Sequence, residues 1–106
     1  MELCLVYITA SSPEEAQTIG RALIEERLAA CVNILPGMTS LYHWRGALEQ
    51  AEEAVLIAKT RRDLFEALAE RVRALHSYAT PCVIELPLGR VSPGYRDWLL
   101  AETAGQ

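Results

Sequence analysis

The sequence predicts an α+β fold, a small antiparallel sheet with helices packed against one face. Four segments are rich in β-branched, aromatic and other apolar residues, and two longer segments carry an apolar stripe with helical spacing. Their order is strand, helix, strand, strand, helix, strand, followed by a short terminal helix. With 106 residues, of which 51% are hydrophobic and 23% charged, the chain is expected to form one ordered domain over 1–106.

The first strand and helix are predicted near the amino terminus. Residues 3–8 are apolar on both faces, which is typical of a strand covered on each side. Ser12 can cap a helix, Pro13 suits its first position, and Glu15 can complete a capping box. The stripe that follows predicts a helix running to about Ala29. The members of this stripe are Ala16, Ile19, Leu23, Ile24 and Leu28.

The middle of the chain predicts a long β-hairpin. Residues 31–35 form a strand segment that a Pro-Gly pair interrupts, because proline lacks a ladder donor and glycine accepts unusual dihedral angles. Pairing is expected to resume over 39–44, and 53–59 supplies the return strand after a turn at Gly46.

A second helix, a fourth strand and a terminal helix complete the prediction. Thr60 is the expected cap of the second helix. Residues 82–86 predict a strand, and Ser92 with Pro93 repeats the cap-and-proline pattern of a helix start. The core face of the second helix comprises Leu64, Leu68, Val72 and Leu75.

This order predicts a ferredoxin-like βαββαβ fold with an extended β-hairpin and a short C-terminal helix. Right-handed crossovers place the two main helices on one face of the sheet. The short terminal helix can cover only part of the other face, although the first strand and residues 55–57 are apolar on both sides. We therefore expect the chain to form a homo-oligomer in which sheets pack together.

Charge and cysteine content narrow the classes of function. Ten Lys and Arg against fourteen Asp and Glu give a formal charge of −4, which disfavours nucleic acid and anionic membranes as partners. No apolar run approaches a membrane span and no secretory signal is recognisable, so a cytoplasmic protein is expected. The three cysteines, Cys4, Cys31 and Cys82, are widely spaced and are expected to be reduced thiols.

Three sequence blocks carry a resemblance to a known family: ERLAACVNILPG over 26–37, SLYHWRG over 40–46 and LHSY over 75–78. The chain resembles the CutA family of divalent-cation tolerance proteins over almost its whole length. The resemblance implies a compact homotrimer of ferredoxin-like subunits, similar in architecture to PII signalling proteins, with clefts between subunits. When the family's motif positions are matched to this sequence residue by residue, the resemblance implies an inter-subunit cleft that includes Cys31, Trp44, Glu53, Lys59, His76 and Tyr78.

The resemblance also implies binding of copper or another divalent cation. Ser77 and Ala79 replace the proline and glutamate of the family pattern His-Pro-Tyr-Glu, and Cys82 stands where a glutamate is common. Losing two carboxylates weakens binding of hard cations, whereas an added thiol near His76 favours a soft ion.

The predicted metal ligands are His76, Cys31 and Cys82, because imidazole and thiolate suit copper or zinc. Their spacing matches no metal motif, so the fold or a subunit contact would have to bring them together. The alternative is that both cysteines are core residues of strands. His76 would then lie at a helix C-terminus, where a positive charge interacts favourably with the helix dipole.

Two further pairs have both a binding and a structural interpretation. Glu53 and Lys59 lie six residues apart, so their side chains are expected to share a sheet face. There they would either bind an anion or form an ion pair at a subunit contact. Trp44 and Tyr42 either stack on a ligand or, as we favour, anchor a subunit interface.

Three functions are compatible with these residues. The leading hypothesis is a homotrimer that binds divalent metal ions and takes part in the response to them. The alternatives are a PII-like sensor of a small ligand and a structural or anchoring trimer without a ligand. An enzyme is not expected, because no nucleophile–base motif and no Gly-rich phosphate motif is present.

Overall fold

A computed structural model describes residues 1–105 of the chain. Four strands form one antiparallel sheet in the order β2-β3-β1-β4, which confirms the predicted fold class. The strands are β1 (Leu3–Ala10), β2 (Cys31–Trp44), β3 (Ala47–Arg61) and β4 (Val83–Pro87). The helices are α1 (Pro13–Glu25), α2 (Phe65–Leu75) and α3 (Pro93–Glu102), with a 3₁₀ turn at Arg62–Leu64 before α2.

Helix α1 begins as predicted and ends earlier. The Ser12 hydroxyl accepts the backbone N–H of Glu15 at 3.1 Å, and Pro13 is the first helical residue. The helix ends at Glu25 rather than near Ala29, because Arg27 adopts a left-handed conformation with φ of 57°. The N–H groups of Leu28 and Ala29 then donate to the Leu23 carbonyl, so the chain turns toward β2.

Three predicted boundaries elsewhere are wrong. Thr60 does not cap α2 but lies in β3, where its buried hydroxyl donates to the Leu28 carbonyl at 2.7 Å. The 3₁₀ turn at Arg62–Leu64 leads into α2 instead. Strand β3 begins at Ala47 rather than at residue 53, because it pairs with β2 along the whole hairpin. Strand β4 begins at Val83, so Cys82 precedes it.

The hydrophobic core lies between the sheet and helices α1 and α2, and we call this side of the sheet the covered face. Alternate residues of β1 and β3 point into it, because successive strand side chains alternate between faces. Their partners on the helices repeat every three or four residues. The fully buried members include Cys4, Val6, Ile8, Leu56 and Ala58 from the strands, and Ile19, Leu23, Leu68 and Val72 from the helices.

The opposite side of the sheet, which we call the open face, is covered at one end only. Helix α3 packs on β3 there and buries Leu99 and Leu3 to 1% exposure. Arg27 donates to the Glu102 carbonyl and carboxylate, which fixes the end of α3. Beyond α3 the apolar side chains remain half exposed; Leu35, Ile84 and Leu86 are 51%, 52% and 45% exposed. The prediction of an incompletely covered second face is confirmed.

The β2–β3 hairpin extends well beyond the rest of the sheet. The molecule measures 46 × 25 × 22 Å, and the long axis reflects the 14 and 15 residues of the two hairpin strands. The predicted irregularity occurs between Leu35 and Met38, where Gly37 has φ of 76°. Among residues 1–105, no helix has both the length and the apolar character that crossing a membrane requires.

Candidate functional site

The segment that follows α2, residues 76–78, crosses the end of β1 and the start of α1. We call it the 76–78 segment. It has no regular secondary structure, and side-chain contacts to three elements hold it in place. These contacts involve Thr9 of β1, Glu15 of α1 and Glu53 of β3. They gather polar groups where the sheet is not covered by α3.

His76 uses both of its ring nitrogens. The Tyr78 backbone N–H donates to Nδ1 at 3.0 Å, and Nε2 lies 2.7 Å from the Thr9 carbonyl oxygen. Because a carbonyl only accepts and Nδ1 is already an acceptor, the proton belongs on Nε2. The His76 side chain has no solvent exposure. The ring therefore serves as a buried connector between the 76–78 segment and β1.

Glu15 fixes the same segment from the side of α1. One carboxylate oxygen accepts the backbone N–H and the hydroxyl of Ser11, both at 2.9 Å. The other accepts the backbone N–H of Ser77 at 2.8 Å. Burial by itself would raise the pKa of Glu15, but the hydrogen bonds from Ser11 and Ser77 outweigh burial and lower the pKa to about 2. Glu15 is therefore an ionised clamp between the start of α1 and residue 77.

Tyr78 and Glu53 form the polar pair of the site. The Tyr78 hydroxyl donates to a Glu53 carboxylate oxygen at 3.0 Å, and Glu53 is only 8% exposed. The Tyr78 ring also packs against the His76 ring, with 4.9 Å between their centroids. Burial, reinforced by the hydrogen bond and charge of Glu53, raises the pKa of Tyr78 to about 12. The structure thus brings together three of the predicted cleft residues.

A shallow pocket lies beside this pair. Glu53 contributes to its wall together with the loop that precedes α1 and the bulge of β2. Its lining residues are Ser11, Ser12, Pro13, Gly37, Glu52 and Glu53. Its wall combines carboxylates and hydroxyls with the apolar surface of Pro13 and Gly37.

Lys59 and Cys31 lie at the other end of the open face. They are directly paired across β3 and β2, whereas Glu53 pairs with Met38. Glu53 and Lys59 do share the open face as predicted, but six residues of strand put about 20 Å between them. The Lys59 ammonium instead lies over the Tyr95 ring of α3, 5.5 Å from its centroid.

Trp44 and Tyr42 lie on β2 near the tip of the hairpin. Trp44 is 57% exposed and Tyr42 is 41% exposed. The Arg45 guanidinium lies 5.6 Å from the Trp44 ring centroid. Tyr42 is close enough to Tyr78 to contribute to the raised pKa of Tyr78. The roles of Trp44 and Tyr42 at a subunit contact or a ligand stay predictions.

The predicted metal ligands do not meet within one chain. Cys31 begins the edge strand β2 and Cys82 precedes the opposite edge strand β4, so three strand spacings, about 14 Å, separate their positions across the sheet. The ring of His76 has no free nitrogen. Among residues 1–105, no three His, Cys, Asp or Glu side chains are grouped to hold a metal ion. These residues therefore do not fit a metal centre inside a single chain.

Cys4, the third thiol, belongs to the core. It is fully buried on the covered face. Burial, reinforced by the nearby Glu85 carboxylate, raises the pKa of Cys4 to about 11. This thiol stays protonated at neutral pH, and it packs in the core as a small apolar group.

Glu15, Ser11 and Thr9 belong to the site, although the sequence did not mark them as site residues. The predicted capping box is only half formed, because the Glu15 carboxylate accepts the Ser11 N–H and not the N–H of the cap residue Ser12. The contact of Glu15 to Ser77 spans 62 positions. The one available signal was Ser77, which provides a backbone N–H that a proline at this position would lack. That N–H is the donor that reaches Glu15.

Comparisons with known proteins bear on the whole chain. A family model described as "CutA1 divalent ion tolerance protein" matches residues 4–102. The divalent-cation tolerance protein CutA of Thermus thermophilus is 48% identical over 99 residues, which cover 93% of this chain and 96% of that protein. The CutA protein of Archaeoglobus fulgidus is 45% identical over 94 residues, which cover 89% of this chain and 91% of that one.

Solved structures agree with this similarity. The Thermus thermophilus protein has a TM-score of 0.92 to this chain with 48% identity, covering 95% of this chain and 98% of that one. The rice CutA1 crystal structure has a TM-score of 0.95 with 41% identity, covering 97% and 94%. The structure from Archaeoglobus fulgidus, which is described as a periplasmic divalent cation tolerance protein, has a TM-score of 0.93 with 42% identity, covering 95% and 98%.

Proposed function

Because the chain belongs to the CutA1 family of divalent ion tolerance proteins, we propose that it acts in tolerance of divalent cations as a homotrimer that binds copper or another divalent ion. The names of its relatives support the role in cation tolerance. Self-association and ion binding are proposed from the surface of the chain itself. We propose no catalytic role.

The observation that carries the proposal is the open face. Leu35 on β2 and Ile84 and Leu86 on β4 are about half exposed on the same face of the sheet, and exposed apolar side chains of this kind favour association. The hairpin tip adds a second apolar surface, since Leu41 and Leu48 are 66% and 70% exposed. Copies of the chain that pack through these surfaces remove them from water, which stabilises the assembly.

We propose that the ion is bound where subunits meet, with thiols as ligands. Cys31 and Cys82 are both partly exposed and lie at opposite edges of the sheet. Only a contact between different chains can bring one of each to the same ion. Thiolates prefer soft or borderline ions, so zinc is the proposed divalent ion and copper is proposed to bind as monovalent copper(I). His76 is not part of this proposed ion site.

We also propose a cytoplasmic location. Three cysteines without a disulfide partner suit a reducing compartment. Cell fractionation that recovers the protein with periplasmic markers would reject this part of the proposal. It would leave the assembly and the ion site unaffected.

The oligomeric state is the first test. Sedimentation equilibrium and light scattering across a range of protein concentrations should give a mass three times 11.8 kDa. Association should persist at micromolar concentration, because burying apolar surface favours the assembly. A well-folded monomer at that concentration would contradict the proposal.

Ion binding is the second test. Calorimetry with zinc, and anaerobic competition titrations with copper(I), should detect binding to the wild type and its loss in Cys31→Ser and Cys82→Ser. Cys4→Ala is the matched control, because it removes the one thiol that is sealed in the core. Binding that survives both serine substitutions would reject the thiol site. A trimer that binds no ion would favour the anchoring alternative, and a small ligand that alters partner binding would favour the sensor.

A further inference from the structure

The two hydrogen bonds of His76 define its protonation pattern. Nδ1 accepts the Tyr78 N–H and so carries no proton, while Nε2 carries the proton that it donates to the Thr9 carbonyl. The Glu15 carboxylate lies 3.8 Å from Nε2 but is already occupied by Ser11 and Ser77. With its side chain fully buried, the ring has neither a free lone pair nor access to solvent.

We infer that His76 is a positioning residue that holds Tyr78 against Glu53, and that its ring does not ligate a metal ion. A metal requires a lone pair on one ring nitrogen. At Nδ1 it would displace the Tyr78 N–H, and at Nε2 it would displace the proton and leave the Thr9 carbonyl without this donor. This inference concerns contacts inside one chain, so it holds whether or not the proposed trimer and its thiol site exist.

His76 acts on Tyr78 at two points. It fixes the backbone of Tyr78 through Nδ1, and its ring packs against the Tyr78 ring. The Tyr78 hydroxyl then reaches Glu53, a buried carboxylate of β3 for which the described residues 1–105 provide no ion pair. His76 therefore determines where the Tyr78 hydroxyl meets the Glu53 carboxylate.

Ser77 strengthens the same arrangement from the other side. Its backbone N–H donates to Glu15, which also accepts two hydrogen bonds from Ser11. The residue between His76 and Tyr78 is thereby attached to the start of α1. Hydrogen bonds within the chain therefore fix both ends of the 76–78 segment.

The tautomer can be tested directly on the wild-type protein. Long-range ¹H–¹⁵N spectra should show His76 with an unprotonated Nδ1 and a protonated Nε2, and excess zinc should leave both signals unchanged. His43, the second histidine, is exposed on the hairpin and is the internal control. The opposite tautomer, or zinc-induced shifts of the His76 nitrogens, would overturn the inference. Failure of the trimer or thiol tests would leave it standing.

Two substitutions test the positioning role. His76→Asn keeps a side-chain acceptor for the N–H two residues later, as in an Asx turn, whereas His76→Ala keeps none. Ultraviolet titration of the tyrosines, compared with Tyr78→Phe, isolates Tyr78. In His76→Ala the Tyr78 midpoint should fall from about 12 toward 10, and His76→Asn should retain most of the elevation. If the alanine variant keeps the full elevation, or if folded asparagine and alanine variants behave alike, His76 does not position Tyr78.

Discussion

The two faces of the sheet carry similar residues and have different surroundings. On the covered face, Val6, Ile8 and Leu56 are completely buried beneath α1 and α2. On the open face, α3 covers one end, and Ile84 and Leu86 of the neighbouring strand β4 remain about half exposed. Apolar composition alone therefore does not distinguish a face that the chain covers itself from one that it leaves open.

The covered face contributes to the stability of a single chain, whereas the open face would contribute to the stability of an assembly. Burial on the covered face is complete within one chain, so its contribution to stability is independent of protein concentration. Burial on the open face would be complete only in an assembly, so its contribution would follow mass action. Substitutions on each face should show these two behaviours.

The largest effect is expected for Leu56→Ala on the covered face. Removing a fully buried leucine side chain loses its burial and leaves a cavity, which costs about 2–5 kcal/mol of the free energy of unfolding. Urea denaturation at several protein concentrations measures the cost. It should stay constant on dilution, whereas the cost of Ile84→Ala on the open face should shrink. Equal concentration dependence of the two costs would remove the proposed distinction between the faces.

A charge on the open face should separate the chains without unfolding them. Ile84→Asp places a carboxylate on the apolar surface, and desolvating that charge in an assembly should weaken association at least about 100-fold, roughly 3 kcal/mol. Sedimentation velocity should show a shift to the monomer, while circular dichroism stays that of the wild type.

Ala67→Asp is the control for this charge. Residue 67 is exposed on α2, on the side of the sheet that the chain already covers, so an added carboxylate there should leave association unchanged. If Ile84→Asp remains as associated as the control, the open face is not the subunit contact.

The Glu15 clamp should contribute stability that depends on pH. Its pKa is lowered from 4.5 to about 2 in the folded chain, so the stabilisation is complete above about pH 5 and is lost as pH falls toward 2. Glu15→Gln should cost about 2–3 kcal/mol at pH 7 and much less near pH 2. Denaturation measured at both pH values tests this expectation.

Glu14→Gln provides the matched control for Glu15. Glu14 lies in the same first turn of α1 and is exposed, so its substitution changes the charge near the helix start without breaking the clamp. A cost of Glu15→Gln that is the same at both pH values, or that Glu14→Gln reproduces, would mean that the clamp is not the source of the stability.

Local spacing predicted the elements but not every contact that ends them. Ser12, Pro13 and Glu15 lie within four positions, so the sequence pattern was enough to locate the start of α1. Thr60 suits both a helix cap and a buried strand position. The structure uses it as a strand residue because its hydroxyl satisfies the Leu28 carbonyl, 32 positions away. Residue propensity alone does not predict which of these two roles Thr60 takes, because the tertiary contact with Leu28 decides it.

The candidate site is harder to predict from the sequence than the helix and strand boundaries, because its contacts join residues that are distant in sequence. The resemblance grouped His76, Tyr78 and Glu53, and the structure places these three in contact. It also grouped Cys31 and Lys59 with them in a cleft between subunits. Within one chain the strand register puts these two at the far end of the open face, so their place in such a cleft stays a prediction. The contact of Glu15 with Ser77 was not predicted, because a side chain that caps a helix carries no signal of a second, distant donor.

The smallest effect is expected at the end of the open face that α3 covers. Lys59 lies 5.5 Å from the Tyr95 ring centroid, and a partly exposed contact of this type contributes about 0.5–1 kcal/mol. Lys59→Met keeps the aliphatic stem and should therefore lower the free energy of unfolding by no more than that, measured by urea denaturation, with Tyr95→Phe as the control that keeps the ring. A loss well above this range, accompanied by weaker self-association, would instead assign Lys59 an ionic partner in another chain, and the covered end of the open face would then also belong to the subunit contact.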